Sequence, residues 1–188
     1  MVKFTYGGES DSTFVNIDLD PRIEYKMQDL IDRRELAGEL RKNTDLVTKA
    51  KAQLTAANTA LEAIAKQIPK GRSEEIRELR SQTSAMQDSV KAILNSLTPP
   101  RDEKAQGITR RVSGIQAKIS SPQRSVANGF GPITGNERIS IKLAEKELQA
   151  LLDKVNEFFN VSWSAYKELI NSAELSPFTD GDYTPLKK

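Results

Sequence analysis

The chain contains neither cysteine nor histidine. Without cysteine it has no disulfide framework, no thiolate metal site and no cysteine nucleophile. Without histidine it lacks the commonest general base and the commonest zinc ligand. No apolar run approaches the ~20 residues that a membrane-spanning helix needs. We therefore expect no cofactor, no membrane span and no catalysis of the kinds that depend on these two residues.

Aromatic residues are also scarce, at 6% of 188 residues, whereas charged residues reach 29% with a net charge of only +2. This composition is typical of an elongated helical protein, which has much surface and a thin core. The first residues, Met-Val-Lys-Phe-Thr-Tyr, lack the apolar core of a signal peptide. The sequence thus predicts either a cytoplasmic protein, if Met1 is a true start, or a fragment of a longer chain.

A helical stripe of apolar residues between Pro21 and Ile68 dominates the sequence. It recurs with a spacing of three and four residues over roughly six heptads, whereas a mean helix has about 11–12 residues. Asp20 is suited to cap this helix, and Pro21 to be its first residue. The rest of the chain is expected to cover the stripe. Its members are Leu40, Val47, Ala50, Leu54, Ala57, Leu61, Ile64 and Ile68, with Asn43 interrupting and Ala37, Leu30, Met27 and Ile23 as a looser continuation.

Three more helical patterns follow, separated by proline and glycine. They run from a cap at Ser73 to Thr98-Pro99-Pro100, from near Asp102 to Ser121-Pro122, and from about Asn136 to Ala173. A tail from Leu175 is expected to lie extended along the helices, with Phe178 and Tyr183 as anchors. Before the long helix, Val2–Tyr6 and Thr13–Leu19 predict a β-hairpin with a loop that starts at Gly7-Gly8.

The lengths of these patterns predict a mainly α fold, an elongated antiparallel helical bundle with a short N-terminal β-hairpin. The second and third patterns together match the first helix in length, which favours three layers with the middle layer broken at Pro99-Pro100. A reversal at Pro99-Pro100, giving a four-helix bundle, is the alternative. The expected domains are the hairpin, 1–19, and the bundle with its extended tail, 20–188.

Three segments in this order resemble a known family. They are Asp20-Pro21-Arg22-Ile23 at the end of a strand, Arg111-Val112 followed by a loop with Pro132, and the helix with Ala144, Glu145, Glu147 and Leu148. The order resembles the C-terminal region of bacterial secreted proteins built on a sortilin-type Asp-box β-propeller, often described as glycosyl hydrolases. In that family an Ig-like β-domain follows the propeller and leads into a helical module.

The resemblance implies that the hairpin forms the last strands of the Ig-like domain. It also implies a secreted or cell-envelope (periplasmic) location in a bacterium, with any signal peptide at the start of the parent protein. The Asp-box motifs and propeller carboxylates are absent from this chain, so no catalytic residue of the family transfers to it.

The segment from Pro99 to Gly135 is the strongest candidate for a charged surface, with six basic residues against two acidic ones. It lacks the interleaved aromatics that stack on bases, so we expect no nucleic-acid partner. Arg110 or Arg111 is expected to pair with a carboxylate of a neighbouring helix and to orient the loop. Arg124 and the exposed-looking Phe130 complete this candidate surface.

Trp163 and Tyr166 lie beside the apolar stripe of the last helix. Core packing is the favoured interpretation, and a contact surface for another domain or subunit is the alternative. The carboxylate pair in Asp180-Gly181-Asp182 indicates a turn rather than a calcium loop, which needs more oxygen ligands. No carboxylates form an evident glycosidase pair.

Two functions from different classes fit these observations. The first is a non-catalytic accessory or interaction module at the C-terminus of a secreted propeller protein. It would brace the other domains of the parent protein or mediate oligomerisation. The second is a free-standing, coiled-coil-like scaffold or adaptor that forms a homodimer. An enzyme is the weakest hypothesis, because no catalytic constellation appears.

Overall fold

The computed structural model of the chain describes residues 1–16, 20–22, 24, 26–100 and 113–173. It confirms a mainly α fold with a short antiparallel hairpin at the N-terminus. The elements are β1 (Val2–Tyr6), β2 (Glu9–Thr13), α1 (Met27–Gln67), α2 (Glu74–Leu97), α3 (Ile115–Asn128), α4 (Gly135–Glu157), a π-helical turn (Phe158–Trp163) and α5 (Ser164–Ser172).

Helix α1 is the spine of the bundle, since 41 residues at about 1.5 Å each span about 60 Å. Every member of the predicted stripe from Leu40 to Ile68 is buried, and so is Asn43. Leu54, Leu61 and Ile64 have no exposed surface at all. The predicted stripe is therefore confirmed from Leu40 onward. The apolar core continues from it into α2, α3 and α4.

The long helix begins later than the sequence predicts. The carboxylate of Asp20 accepts hydrogen bonds from the backbone N–H of Arg22, at 3.0 Å, and from its guanidinium. Side chains of this type compete with helical hydrogen bonds by closing local turns. The predicted cap at Asp20 is thus wrong, and α1 starts at Met27 after an extended Lys26. Ile23, part of the looser stripe, lies outside the described residues.

The middle layer continues along α1 instead of reversing at Pro99-Pro100. At the end of α2, Thr98 accepts a hydrogen bond from Lys51 of α1, with Nζ and Oγ1 3.3 Å apart. The Thr98 hydroxyl also donates a hydrogen bond of 3.2 Å to Oε1 of Gln116, at the start of α3. At the end of α3, the Val126 carbonyl meets Arg33, near the start of α1. The three-layer arrangement therefore holds, and the four-helix alternative is wrong.

Helix α3 runs through the proline that was predicted to end it. Pro122 lies within the helix and is buried between Ile119 and Val126, one turn away on either side. A proline inside a helix removes one hydrogen bond and costs about 3 kcal/mol. Here its ring fills a core position, which offsets part of that cost. The predicted start of this helix near Asp102 lies outside the described residues, as does the tail from Leu175.

A π-helical turn joins α4 to α5 without a break. The hydroxyl of Ser164 donates to the carbonyl of Phe159, five residues earlier, at 3.1 Å. A π turn rotates the residues after it relative to an α-helix. The sequence pattern of the last helix places both Leu169 and Ile170 on its apolar face. Ile170 is fully buried, whereas Leu169 is 36% exposed.

The hairpin has a tighter turn and a different second strand from those predicted. Gly7 and Gly8 both adopt positive φ, +58° and +88°, which permits a two-residue turn. Tyr6 therefore pairs directly with Glu9, and β2 ends at Thr13, where the second strand was predicted to begin. All residues of both strands are exposed.

Alanine substitutions at two glycines, Gly114 and Gly38, separate the effect of close packing on stability from the effect of helix propensity. A Cβ at Gly114 would overlap the carbonyl of Leu97 and the ring of Pro99, whereas a Cβ at exposed Gly38 meets open space. We expect Gly114→Ala to lower the free energy of unfolding by about 1–3 kcal/mol. Gly38→Ala should raise it by about 1 kcal/mol. Urea denaturation measures both, and equal effects of the two substitutions would contradict the packing at the α2–α3 junction.

Candidate functional site

The most unusual residue of the structure is Arg33, a charged side chain in the buried stripe of α1. The residue is 5% exposed and lies seven residues before Leu40, hence on the same helix face. Sequence reasoning missed it, although a charge at a stripe position was the available signal. A buried arginine needs partners for its charge and its hydrogen bonds.

The structure supplies a protein acceptor for every guanidinium N–H of Arg33. Nη1 donates to the carbonyl of Val126 at 3.2 Å and to Oε1 of Glu137 at 2.9 Å. Nη2 donates to the carbonyl of Pro132 at 3.0 Å and to Oε2 of Glu137 at 3.1 Å. Nε donates to the carbonyl of Gly131. Because a guanidinium has five N–H groups, none is left for a ligand.

Glu137 joins this cluster to the start of α4. Its Oε2 accepts hydrogen bonds from the backbone and the hydroxyl of Thr134, at 2.8 and 2.9 Å. The Thr134 hydroxyl accepts in return from the Glu137 backbone, which completes a capping box. The side-chain hydrogen bond to Arg33 is the main reason why the pKa of Glu137 falls from 4.5 to about 2.

The cluster fixes the connection between α3 and α4. Arg33 binds one carbonyl in the last turn of α3, that of Val126, and two in the connection, those of Gly131 and Pro132. Gly129 lies so close to the guanidinium that a Cβ would overlap it. We define the Arg33 clamp as Arg33, Glu137, Thr134 and these three carbonyls. The sequence assigned the orientation of this loop to Arg110 or Arg111, which lie outside the described residues. In the described residues the role belongs to Arg33.

Of the predicted surface residues, Arg124 and Phe130 are exposed. Arg124 lines a groove of about 520 Å³ between α3 and α4, which Ala117 and Ala144 also line. Phe130, 55% exposed, precedes the clamped Gly131. The structure thus places both beside the segment that Arg33 holds. Lys118, another member of the basic segment, pairs with Glu147 at 2.8 Å.

Trp163 and Tyr166 do not belong to a surface. They are 3% and 4% exposed, and their ring centroids lie 6.1 Å apart. Phe158 and Phe159 extend the same aromatic cluster. The contact-surface interpretation of these two residues is therefore wrong for this chain, and their packing in the core is confirmed. They lie toward the opposite end of the bundle from Phe130.

A buried hydrogen bond connects the aromatic cluster to α2. The Thr83 hydroxyl donates to the Leu79 carbonyl at 2.7 Å, so it accepts from the Tyr166 hydroxyl, 2.8 Å away. Burial raises the pKa of Tyr166 above its usual range. The phenol therefore stays neutral and acts as a link between the layers.

Neither a metal centre nor a membrane helix is found in the described part of the chain. There, no group of three or more carboxylates is placed to hold a metal ion. Likewise, none of the helices described combines the length and the apolar content needed to cross a bilayer. The predicted turn at Asp180-Gly181-Asp182 lies outside the described residues.

Comparison with protein-family models, curated proteins and solved structures gives no match for this chain. None of these comparisons links it to the propeller proteins, so the family resemblance stays a prediction from the sequence.

Removal of the clamp's cation gives a direct test of its role. We expect Arg33→Met to lower the free energy of unfolding by about 3–5 kcal/mol, because Glu137 and three carbonyls lose a buried partner. The control is Arg77→Met, which removes an exposed ion pair with Glu74 and should cost less than about 1 kcal/mol. Chemical denaturation measures both, and a cost for Arg33→Met no larger than the control's would contradict the clamp.

The lowered pKa of Glu137 gives a test by pH. A carboxylate with a lower pKa in the folded state stabilises the protein above its unfolded pKa, here 4.5, and loses this effect as the pH falls toward 2. The shift corresponds to about 3 kcal/mol. We expect Glu137→Gln to flatten the loss of stability between pH 4.5 and 2, and Glu74→Gln to leave it unchanged. An equally steep acid limb in Glu137→Gln would contradict the assignment.

Proposed function

We propose that the chain is a non-catalytic accessory module of a secreted multidomain protein of the propeller type, where its bundle is a rigid brace and its hairpin mediates assembly. The observation that carries this proposal is a contrast within the chain. The helical stripe is covered by the chain itself, whereas the hairpin has every residue exposed. An apolar element that the described part of the chain leaves uncovered is a natural contact for another domain or chain.

The covered stripe supports this function over the coiled-coil adaptor. A scaffold that dimerises through its helices needs an exposed apolar seam. In this chain α2, α3 and α4 cover the stripe of α1, and its central leucines have no exposed surface. In the described residues, the stripe from Leu40 to Ile68 therefore offers no free seam to a second chain.

The arrangement of charge supports a role without catalysis. The buried ion pair of Arg33 and Glu137 is the group that most resembles an active site, since its glutamate has a strongly lowered pKa. Yet all five N–H groups of Arg33 bind the protein itself. The cluster therefore serves to hold the α3–α4 connection.

The location follows from the resemblance. The proposal places the parent protein outside the bacterial cytoplasm, in the envelope, periplasm or medium. Its other domains are the expected partners, and oligomerisation is part of the same role.

Hydrogen exchange on the native gene product tests this function. At a concentration that keeps the isolated chain monomeric, we expect fast exchange in β1 and slow exchange around Leu54 and Leu61. In the native product β1 should become protected at the same concentration, because another domain packs against the side chains of Val2, Phe4 and Tyr6. The helical core is the internal control. A native product that starts at Met1 and leaves β1 unprotected would contradict the proposal.

A further inference from the structure

The apolar side chains of the two strands all belong to β1 and lie on one face of the hairpin, which β2 completes with polar residues. Val2, Phe4 and Tyr6 lie on the same face because alternate residues of a strand do, and they are 56%, 70% and 81% exposed. Their partners in β2 are Thr13, Asp11 and Glu9. A two-stranded hairpin is marginally stable in water, and three or more strands are needed for independent stability. This face and its edge thus favour the addition of strands.

The register shows which backbone groups are available. Tyr6 and Glu9 flank the two-residue turn, and such a pair exchanges hydrogen bonds. Hydrogen-bonded and non-hydrogen-bonded pairs alternate along an antiparallel ladder. Lys3 and Thr5 therefore direct their N–H and C=O groups away from β2, toward the free edge of β1. On β2 the corresponding outward residues are Ser10 and Ser12.

We propose that the β1 edge binds the β1 edge of a second copy of this chain, antiparallel and centred on Phe4. This inference rests on the proposed role of the hairpin in assembly. In this register Lys3 exchanges hydrogen bonds with Thr5 of the second copy. Phe4 faces its own counterpart in a non-hydrogen-bonded pair, and Val2 faces Tyr6. The result is a four-stranded sheet whose two central strands carry their apolar side chains on the same side.

The charged residues of the two strands favour symmetric pairing through the β1 edge over symmetric pairing through the β2 edge. β1 has a single charged residue, Lys3, and the proposed register places it opposite a threonine. The same symmetric pairing of two β2 edges, centred on Asp11, would place Asp11 directly opposite Asp11. Like charges in that position destabilise a sheet. Pairing of β1 with β2 of another copy leaves a free edge at each end and does not close into a dimer.

Proline substitutions on the two edges form a matched test. Thr5→Pro removes an outward N–H from β1, and Ser10→Pro removes one from β2, while the hydrogen bonds within the hairpin remain. By analytical ultracentrifugation over a range of concentrations, we expect the unchanged chain and Ser10→Pro to form a dimer. Thr5→Pro should weaken it about tenfold or more. Far-UV circular dichroism should show the same helix content in all three.

A second pair of variants tests the face. Phe4→Glu would place two carboxylates opposite each other in the dimer and should also weaken it. Phe14→Glu changes a residue that is 84% exposed and lies outside β1, so it should leave the dimer unchanged. A chain that stays monomeric at all concentrations, or a dimer that Ser10→Pro disrupts and Thr5→Pro does not, overturns the proposal. If the chain stays monomeric but β1 is protected in the dilute native product, another domain covers β1, and the accessory function stands without the dimer.

Discussion

The structure depends most on one buried cation, Arg33. Its five N–H groups are each bound, and the acceptors come from the end of α3, the following connection and the first turn of α4. The guanidinium thus joins three consecutive parts of the chain to the spine at one point. Apolar packing alone does not fix the direction in which the chain leaves α3. The planar guanidinium of Arg33 does fix it, because its N–H groups point in set directions toward their acceptors. The antiparallel return of α4 therefore depends on this residue.

Much of the bundle could be predicted because its sequence obeys one simple period. The stripe residues from Leu40 to Ile68 recur at intervals of three and four positions, and every one of them is buried. Ser73 was expected to cap α2, and its hydroxyl accepts from the Ile76 N–H, as capping requires. The matched lengths of the layers then sufficed to choose the three-layer arrangement. Local signals and the overall fold agree in these parts of the chain.

The errors arise where a tertiary contact overrides a local signal. Pro122 remains in a helix because its ring is buried, and Leu169, predicted on the apolar face of the last helix, is 36% exposed. Arg33 was missed because an apolar search passes over charged residues, and its partner Glu137 is about a hundred residues away in sequence. Conversely, the carboxylate of Asp20 is suited to cap a helix, but it accepts the backbone N–H of Arg22 and closes a local turn instead. Of the candidate surface, only Arg124 and Phe130 remain exposed in the described residues.

The order of the layers determines where the described chain enters and leaves the bundle. Helix α1 and the α4–α5 stretch run in the same direction, so the hairpin connects at one end and Ala173 lies at the other. The two points are separated by about the length of α1, roughly 60 Å. A tensile force between them would act parallel to the helix axes and would load the interfaces in shear. The layers would then have to slide past one another together rather than open one turn at a time, a geometry suited to bearing mechanical load.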